Sequence, residues 1–276
     1  MSGTCPARSG TAPTWSVGCW NISSATCDEG LEAAIAVAIR AIVFDFDGLI
    51  VDTEEPIFRV WQRIYREHGQ ELPLEQWLTI IGGTGTAGVI FDPVDDLGSR
   101  KGEVLDRKEL KGLERLYYKE ATAMQQLLPG VSRYLDDARR LNLATAIASS
   151  SSRHWIDEHL GPMGIKDGFD VIVCRDDVKK TKPDPELYTM AVDRLGITPV
   201  EAIALEDSSN GLAAAKAAGL YCVAVPNGMT ASMDLSRADL TLTSLEEMPL
   251  AELIRQPSLA QSQLPAPGHP GERTSD

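Results

Sequence analysis

Short apolar runs alternate with helix-like segments through residues 129–255, and this alternation predicts the fold. Each run has the length and composition of a buried strand. The segments between them repeat apolar residues at helical spacing. Strands that alternate with helices are typical of a parallel sheet covered by helices on both faces, so we expect an α/β fold. The predicted strands are residues 42–44, 143–148, 171–174, 202–205, 221–225 and 240–242, and the predicted helices are 131–141, 153–163, 185–195 and 210–218.

Residues 55–128 carry helical spacing without a clear strand pattern. The first predicted helix begins near Pro56 and ends near Gly69, and the second spans residues 74–81. The third spans residues 107–127 and is capped by Asp106. Residues 91–102 mix acidic and turn residues and predict no single element. Because this stretch interrupts the alternation, we expect a helical cap at 55–128, inserted between residues 40–54 and 129–255 of the α/β core. The expected inward face of the last helix consists of Leu110, Leu113, Leu116 and Tyr117.

The ends and the charge of the chain set further expectations. Residues 1–39 are rich in Ser, Thr, Gly and Pro and predict a disordered extension, and residues 256–276 predict a disordered tail. The net charge of −14 argues against a nucleic-acid surface. The apolar runs are shorter than the roughly 18 residues of a membrane span, and the first 25 residues lack a leader pattern. We therefore expect neither nucleic acid nor membrane as a partner. Cys174 and Cys222 lie in predicted core strands as buried free cysteines, so we expect a reduced, cytoplasmic setting.

Two aspartates directly follow the first predicted strand. Asp45 and Asp47 are separated by one residue and precede Gly48, which permits a sharp turn. Carboxylates at the end of a buried strand are costly unless a cation or covalent chemistry offsets their charge. Since active sites form at the carboxyl edge of parallel sheets, this pair marks a candidate site.

Three later motifs also place polar side chains beside predicted strands and helices. Ser149 and Ser150 end a strand where a helix begins, so they could hold an anion or simply cap the helix. Lys182 lies between rigid proline-containing turns, although a lone loop lysine is usually a solvated charge. The adjacent carboxylates of Glu206 and Asp207 end another strand and could equally cap a helix. Each motif is weak alone, but three of the four motifs end strands at one predicted sheet edge.

Together these motifs resemble those of the haloacid dehalogenase superfamily, in particular its β-phosphoglucomutase-like branch with a helical cap. The resemblance runs from about residue 40 to 254 and is most specific in DFDGLIVDTE at 45–54 and ALEDSSNGLAAAKAAG at 204–219. It implies a three-layer, Rossmann-like parallel-sheet core with an inserted α-helical cap. It also implies an enzyme that acts on a small phosphorylated substrate with the help of Mg²⁺.

The resemblance further implies a role for each motif residue. Asp45 would be the nucleophile that forms an aspartyl-phosphate, and Asp47 the general acid and base. The phosphoryl oxygens would be held by Ser149, Ser150 and Lys182. The Mg²⁺ ligands would be a carboxylate oxygen of Asp45, the backbone carbonyl of Asp47, and the side chains of Glu206 and Asp207.

Hydrolysis of a phosphate monoester is the expected reaction. Dehalogenases of the superfamily lack the second aspartate and phosphonatases replace it, whereas Asp47 is present. Mutases carry a histidine ten residues after that aspartate, where this chain has Ile57, and phosphatases commonly carry a glutamate where this chain has Glu54. A β-phosphoglucomutase-type sugar phosphomutase is the first alternative and a non-catalytic, phosphate-binding regulatory module the second. We expect a monomer or weak homodimer, and a sugar, polyol or nucleotide phosphate as substrate.

Overall fold

The computed structural model describes residues 38–81, 91–123 and 125–257. Most of the predicted extension and tail, and the glycine-rich loop at 82–86, lie outside these residues. The described part contains a six-stranded sheet in the order β3-β2-β1-β4-β5-β6, and every neighbouring pair is parallel. The strands are β1 (Ala41–Phe44), β2 (Ala144–Ala148), β3 (Val171–Val173), β4 (Ala202–Glu206), β5 (Tyr221–Ala224) and β6 (Leu240–Thr241).

Residues 55–128, here named the cap segment, form helices that follow β1 in the chain, and the first of these helices begins one residue earlier, at Glu54. They are α1 (Glu54–Glu67), α2 (Leu74–Trp77), α3 (Pro93–Lys101) and α4 (Arg107–Ala121). Asp92 and Asp106 cap α3 and α4, since each carboxylate accepts from two backbone N–H groups of the first turn. The apolar faces of these helices form one cluster, which also contacts Met229 and Trp155 from outside the cap segment.

Three details of the cap segment differ from the prediction. The helix predicted at 74–81 ends at Trp77, because the following residues close tighter turns instead of continuing the helix. The stretch for which the sequence predicted no element contains α3, which ends at Gly102 in the left-handed conformation. The long helix stops at Ala121 rather than at 127, and its inward face includes Tyr118, whereas Leu116 is 52% exposed.

The remaining helices cover the two faces of the sheet. They are α5 (Val131–Arg140), α6 (Arg153–Met163), α7 (Glu186–Leu195), α8 (Ser209–Ala217) and α9 (Leu250–Leu253). Because side chains alternate along a strand, Ile42 and Phe44 of β1 pack with α5, α6 and α9, while Ala41 and Val43 pack with α7 and α8. The predicted three-layer α/β architecture is therefore confirmed. Within the described ranges, no helix is both long and apolar enough to cross a membrane.

Candidate active site

Asp45 occupies the carboxyl end of the central strand β1. Its backbone N–H continues the parallel ladder by donating to Leu205 O at 2.9 Å, and only 4% of the residue is exposed. Lys182 Nζ lies 2.5 Å from Asp45 Oδ1 and 2.6 Å from Glu206 Oε1. A buried ammonium group thus joins the residue after β1 to the last residue of β4, at the edge predicted for the site.

Three carboxylates meet around this lysine. One oxygen each of Asp45, Glu206 and Asp207 lies within 4.8 Å of the others, and all three residues are buried. Burial and the charge of Glu206 raise the pKa of Asp45 to about 7, against the opposing effect of Lys182. Burial and then the charge of Asp45 raise the pKa of Asp207 well above its ordinary value. One ammonium therefore does not balance this cluster, whose oxygen-only donor set fits a hard divalent cation.

Lys182 remains an ammonium group in this environment. Burial alone would lower its pKa, but the charges of Asp45 and Glu206 outweigh burial and raise the pKa above its ordinary value. The positive charge is therefore fixed beside the proposed nucleophile at every physiological pH.

Neutral donors also hold the two carboxylates at the end of β4, Glu206 and Asp207. Tyr188 OH donates to Glu206 Oε1 at 2.5 Å, and Asn227 Nδ2 donates to Asp207 Oδ2 and to Gly48 O, both at 2.9 Å. Gly48 has a φ of +79°, and a Cβ there would lie 2.3 Å from Asp207 Oδ2. The turn after Asp47 consequently requires glycine both for its conformation and for the space of a cluster carboxylate.

Asp47 has a different environment from Asp45. Its Oδ1 accepts from Thr53 Oγ1 and Trp155 Nε1, each at 2.8 Å. Its Oδ2 accepts from Ser151 Oγ at 2.5 Å and from Ser149 Oγ at 3.4 Å. All four donors are uncharged, so this carboxyl group is positioned by hydrogen bonds rather than by an ion pair.

The serine run after β2 divides its tasks among neighbouring residues. Ser152, not Ser149, caps α6 by accepting from Trp155 N at 3.3 Å. Ser149 is fully buried, and its Oγ accepts from Ser151 N at 3.0 Å. Ser150 Oγ is buried and lacks a hydrogen-bond partner within the described part of the chain, and Ser150 lines the cavity described next. The capping alternative therefore does not explain Ser149 and Ser150.

A cavity of about 450 Å³ lies between the cap segment and the end of the sheet. Asp45, Asp47 and Lys182 line it from the sheet side. Glu54 also lines it, and burial followed by repulsion from Asp47 raises the pKa of Glu54 to about 8. The cap side contributes apolar side chains and one ion pair, namely Ile57, Trp61, Trp77, Ile80, Pro93, Lys111 and Glu114.

Comparison with known proteins places this site in a family. The family model described as Haloacid dehalogenase-like hydrolase matches residues 42–225, a range that contains all the carboxylates discussed above. The chain belongs to this family.

The proteins that this chain resembles include phosphatases. YhcW of Bacillus subtilis (strain 168) is 44% identical over 216 residues, which cover 78% of this chain and 96% of YhcW. Hexitol phosphatase B of Escherichia coli (strain K12) is 30% identical over 226 residues, which cover 78% of this chain and 97% of that protein. The crystal structure of CbbY from Rhodobacter sphaeroides in complex with phosphate superposes with a TM-score of 0.62 at 28% identity, covering 78% of this chain and 99% of CbbY. This member of the family is thus an enzyme of the phosphatase type.

The haloacid dehalogenase-like site contains every residue that the sequence motifs singled out. The structure brings together Asp45, Asp47, Ser149, Ser150, Lys182, Glu206 and Asp207. By contrast, Arg59 and Arg63 of α1 pair with Glu55 and with Glu67 on the exposed surface of that helix.

Several supporting residues escaped the motifs because their signals are weak. Asn227 follows β5 at the same sheet edge, so its position after a strand could have suggested it. Trp155 follows the capping Ser152 by three residues and reads as an ordinary apolar residue of α6. Thr53 lies within the motif at 45–54 but received no role there, and Tyr188 carries no pattern that separates it from residues of the core.

Proposed function

We propose that this protein is a Mg²⁺-dependent phosphatase that hydrolyses a small phosphorylated metabolite through an aspartyl-phosphate intermediate. The observation that carries the proposal is the pairing of two unlike aspartates. Asp45 lies against the Lys182 ammonium at 2.5 Å within a carboxylate cluster, while Asp47 is held by neutral donors on the same cavity. One aspartate is therefore suited to attack phosphorus, and the other to transfer protons.

The proposed reaction has two displacements at phosphorus. In the first, an Asp45 oxygen forms a bond to phosphorus while the bond to the leaving oxygen breaks, and that oxygen takes a proton from Asp47. In the second, Asp47 takes a proton from water, whose oxygen displaces Asp45 and releases inorganic phosphate. Lys182, Ser149 and Ser150 would hold the phosphoryl oxygens, and the unpartnered Ser150 Oγ supports this assignment.

The same cluster would hold the magnesium ion. Asp45, Glu206 and Asp207 supply side-chain oxygens within 4.8 Å of one another, and the backbone carbonyl of Asp47 would complete the protein ligands. When bound, the ion would neutralise charge on the nucleophile and on the phosphoryl group. The excess of buried negative charge over the single Lys182 ammonium supports this assignment.

Hydrolysis is favoured over phosphomutase chemistry by the residue at position 57. Ile57 lines the cavity, and its aliphatic side chain cannot donate or accept a proton. The histidine that the resemblance associates with mutases is thus replaced where it would face the substrate. Glu54, at the position where the resemblance associates a glutamate with phosphatases, lines the same cavity.

The cap side of the cavity supports a hydroxylated leaving group, such as a sugar or polyol. Lys111 Nζ lies 2.6 Å from Glu114 Oε2 and 5.2 Å from the ring centre of Trp61. Because Glu114 already balances the lysine, the described residues on this side offer no unpaired charge for a second phosphate. Trp77 Nε1 is a buried donor that has no hydrogen-bond partner among the described residues, which suits a substrate hydroxyl. Hexitol phosphatase B is a compatible precedent for carbohydrate chemistry at this place, whereas CbbY has been crystallised with xylulose 1,5-bisphosphate, which carries two phosphates.

The first test is replacement of the nucleophile. Asp45→Asn should abolish phosphate release from 4-nitrophenyl phosphate, because an amide oxygen is a much weaker nucleophile. Asp239→Asn, which alters an exposed partner of Lys216, is the matched control and should keep full activity. A chelator should stop the wild-type reaction and added Mg²⁺ should restore it. Turnover by Asp45→Asn, or indifference to the chelator, would contradict the proposal.

The second test separates hydrolysis from phosphomutase chemistry and identifies the substrate. β-Glucose 1-phosphate should give free phosphate rather than glucose 6-phosphate, and formation of glucose 6-phosphate would favour the alternative. A panel of sugar, polyol and nucleotide phosphates, compared by kcat/KM for phosphate release, should rank uncharged polyhydroxyl leaving groups first.

A further inference from the structure

The aromatic side chains beside Asp47 have no part in the reaction as described above. Trp155 Nε1 donates to Asp47 Oδ1 at 2.8 Å, and Trp155 lies in the first turn of α6, anchored by its backbone N–H to the capping Ser152. An indole N–H only donates and does not ionise under ordinary conditions. It can therefore fix the orientation of a carboxyl group without exchanging protons with it.

His159 holds the indole from the next turn of α6. His159 Nδ1 lies 2.8 Å from Trp155 O. Since a carbonyl oxygen only accepts, Nδ1 carries the hydrogen, which leaves Nε2 of the neutral ring free to accept. The two rings are 4.4 Å apart between centres, so the imidazole packs on the indole as well as binding its backbone.

The cap segment completes this arrangement through Tyr118 of α4. Tyr118 OH lies 3.0 Å from His159 Nε2, and its ring centre is 5.1 Å from that of Trp155. Tyr118 and His159 are both buried. A continuous set of contacts therefore runs from α4 through His159 and Trp155 to the carboxyl group of Asp47.

We propose that Trp155 is a positioning residue for Asp47, and that Tyr118 and His159 keep its indole N–H directed at Oδ1. This inference rests on the proposed function. When the bond between phosphorus and the leaving oxygen breaks, that oxygen keeps the electron pair and takes the proton from Asp47, while Asp45 gains the bond to phosphorus. A poorly oriented carboxyl group delays this proton transfer, and the delay matters most when the leaving oxygen is strongly basic.

The experiment compares substrates that differ in the basicity of the leaving oxygen. The probes are 4-nitrophenyl, phenyl and benzyl phosphate, measured as kcat/KM for phosphate release by the wild type and by Trp155→Phe, which keeps an aromatic ring and loses the N–H. General acid catalysis contributes about 10²–10⁴-fold. We expect Trp155→Phe to lose at most about 3-fold on 4-nitrophenyl phosphate, which needs little protonation, and about 10–100-fold on benzyl phosphate.

Tyr118→Phe tests the second contact without altering the indole. It should show the same order of losses across the three substrates at smaller size. Its matched control is Tyr134→Phe, which removes another buried hydroxyl, 2.8 Å from Met248 O, and should leave the ratio between substrates unchanged. Should Trp155→Phe fold poorly, the Tyr118→Phe series decides the question.

The outcomes separate this inference from the function it rests on. If Trp155→Phe and Tyr118→Phe lose equally on all three substrates, or lose nothing, the positioning role is overturned while the phosphatase stands. If the wild type releases no phosphate, or if Asp47→Asn hydrolyses benzyl phosphate as well as the wild type does, the proposed function itself is overturned.

Discussion

Replacing Lys182 with methionine tests the charge balance of the site. The variant keeps a long aliphatic chain but removes the ammonium group that contacts Asp45 and Glu206. Only 2% of the surface of Lys182 is exposed. Breaking a buried ion pair by removing one partner costs about 3–5 kcal/mol. For a folded unit of this size each kcal/mol shifts the unfolding midpoint by about 2–4 °C, so we expect a decrease of about 6–20 °C in metal-free buffer.

The pH dependence of this loss follows from the pKa of Asp45. That pKa is raised to about 7 in the wild type, and removal of the ammonium raises it further. At pH 5 Asp45 is largely protonated in both proteins, whereas at pH 8 only the wild type has a cation beside the ionised carboxylate. The destabilisation should therefore be larger at pH 8 than at pH 5.

Thermal unfolding followed by circular dichroism, with and without Mg²⁺, measures both effects. The matched control is Lys216→Met, which removes an exposed ion pair with Asp239 and should cost at most about 1 kcal/mol. Mg²⁺ should raise the midpoint of Lys182→Met more than that of the wild type, because the variant presents a more negative site. The reasoning fails if both lysine variants unfold alike, or if Mg²⁺ stabilises wild type and variant equally.

Two further predictions concern residues around the same cluster. Burial raises the pKa of Glu54 from 4.5 to about 8. The contribution of Glu54 to the stability of the metal-free protein is therefore present below pH 4.5 and is lost as the pH rises through about 8. Glu54→Gln should raise the unfolding midpoint at pH 8.5 but not at pH 4, and an equal shift at both pH values would refute this. A Cβ at Gly211 would lie 1.9 Å from Glu206 Oε2, so Gly211→Ala should displace that carboxylate and weaken Mg²⁺ binding, as measured by calorimetry. A Cβ at Gly161 would meet no atom within 4 Å, so the control variant Gly161→Ala should bind Mg²⁺ as the wild type does.

The architecture of the core was predictable because its physical signals are strong and local. Buried parallel strands require continuous apolar runs, and the crossover helices between them require helical spacing. The cap segment was harder because its helices are short and depend on capping and on turns. Helix α3 begins at Pro93 after the capping Asp92, and Gly102 caps its other end. These three residues predict a helix only if the acidic residues between them are assigned to its polar face.

The residues that carry charge in the site were predictable for a topological reason. Parallel strands end at one edge, so polar residues that follow β1, β2 and β4 must meet there whatever their distance along the chain. The supporting residues depend on side-chain directions that no period encodes. Trp155 faces Asp47 because the capping Ser152 sets where α6 begins, and a start one residue later would turn the indole away by about 100°.

The two aspartates of the first motif differ in environment because of how the chain leaves β1. Phe46, between them, is fully buried in the core that packs on α5 and α6, which turns both carboxylates toward the opposite side. Asp45, still in the parallel ladder, faces the Lys182 ammonium and the cluster. Asp47, after the ladder ends, contacts the hydroxyl groups and indole of other loops. Asp45 is therefore held beside an ammonium group and further carboxylates, whereas Asp47 is oriented by hydrogen bonds from neutral donors. The buried Phe46 thus separates the two environments, and with them the two roles proposed for otherwise identical side chains.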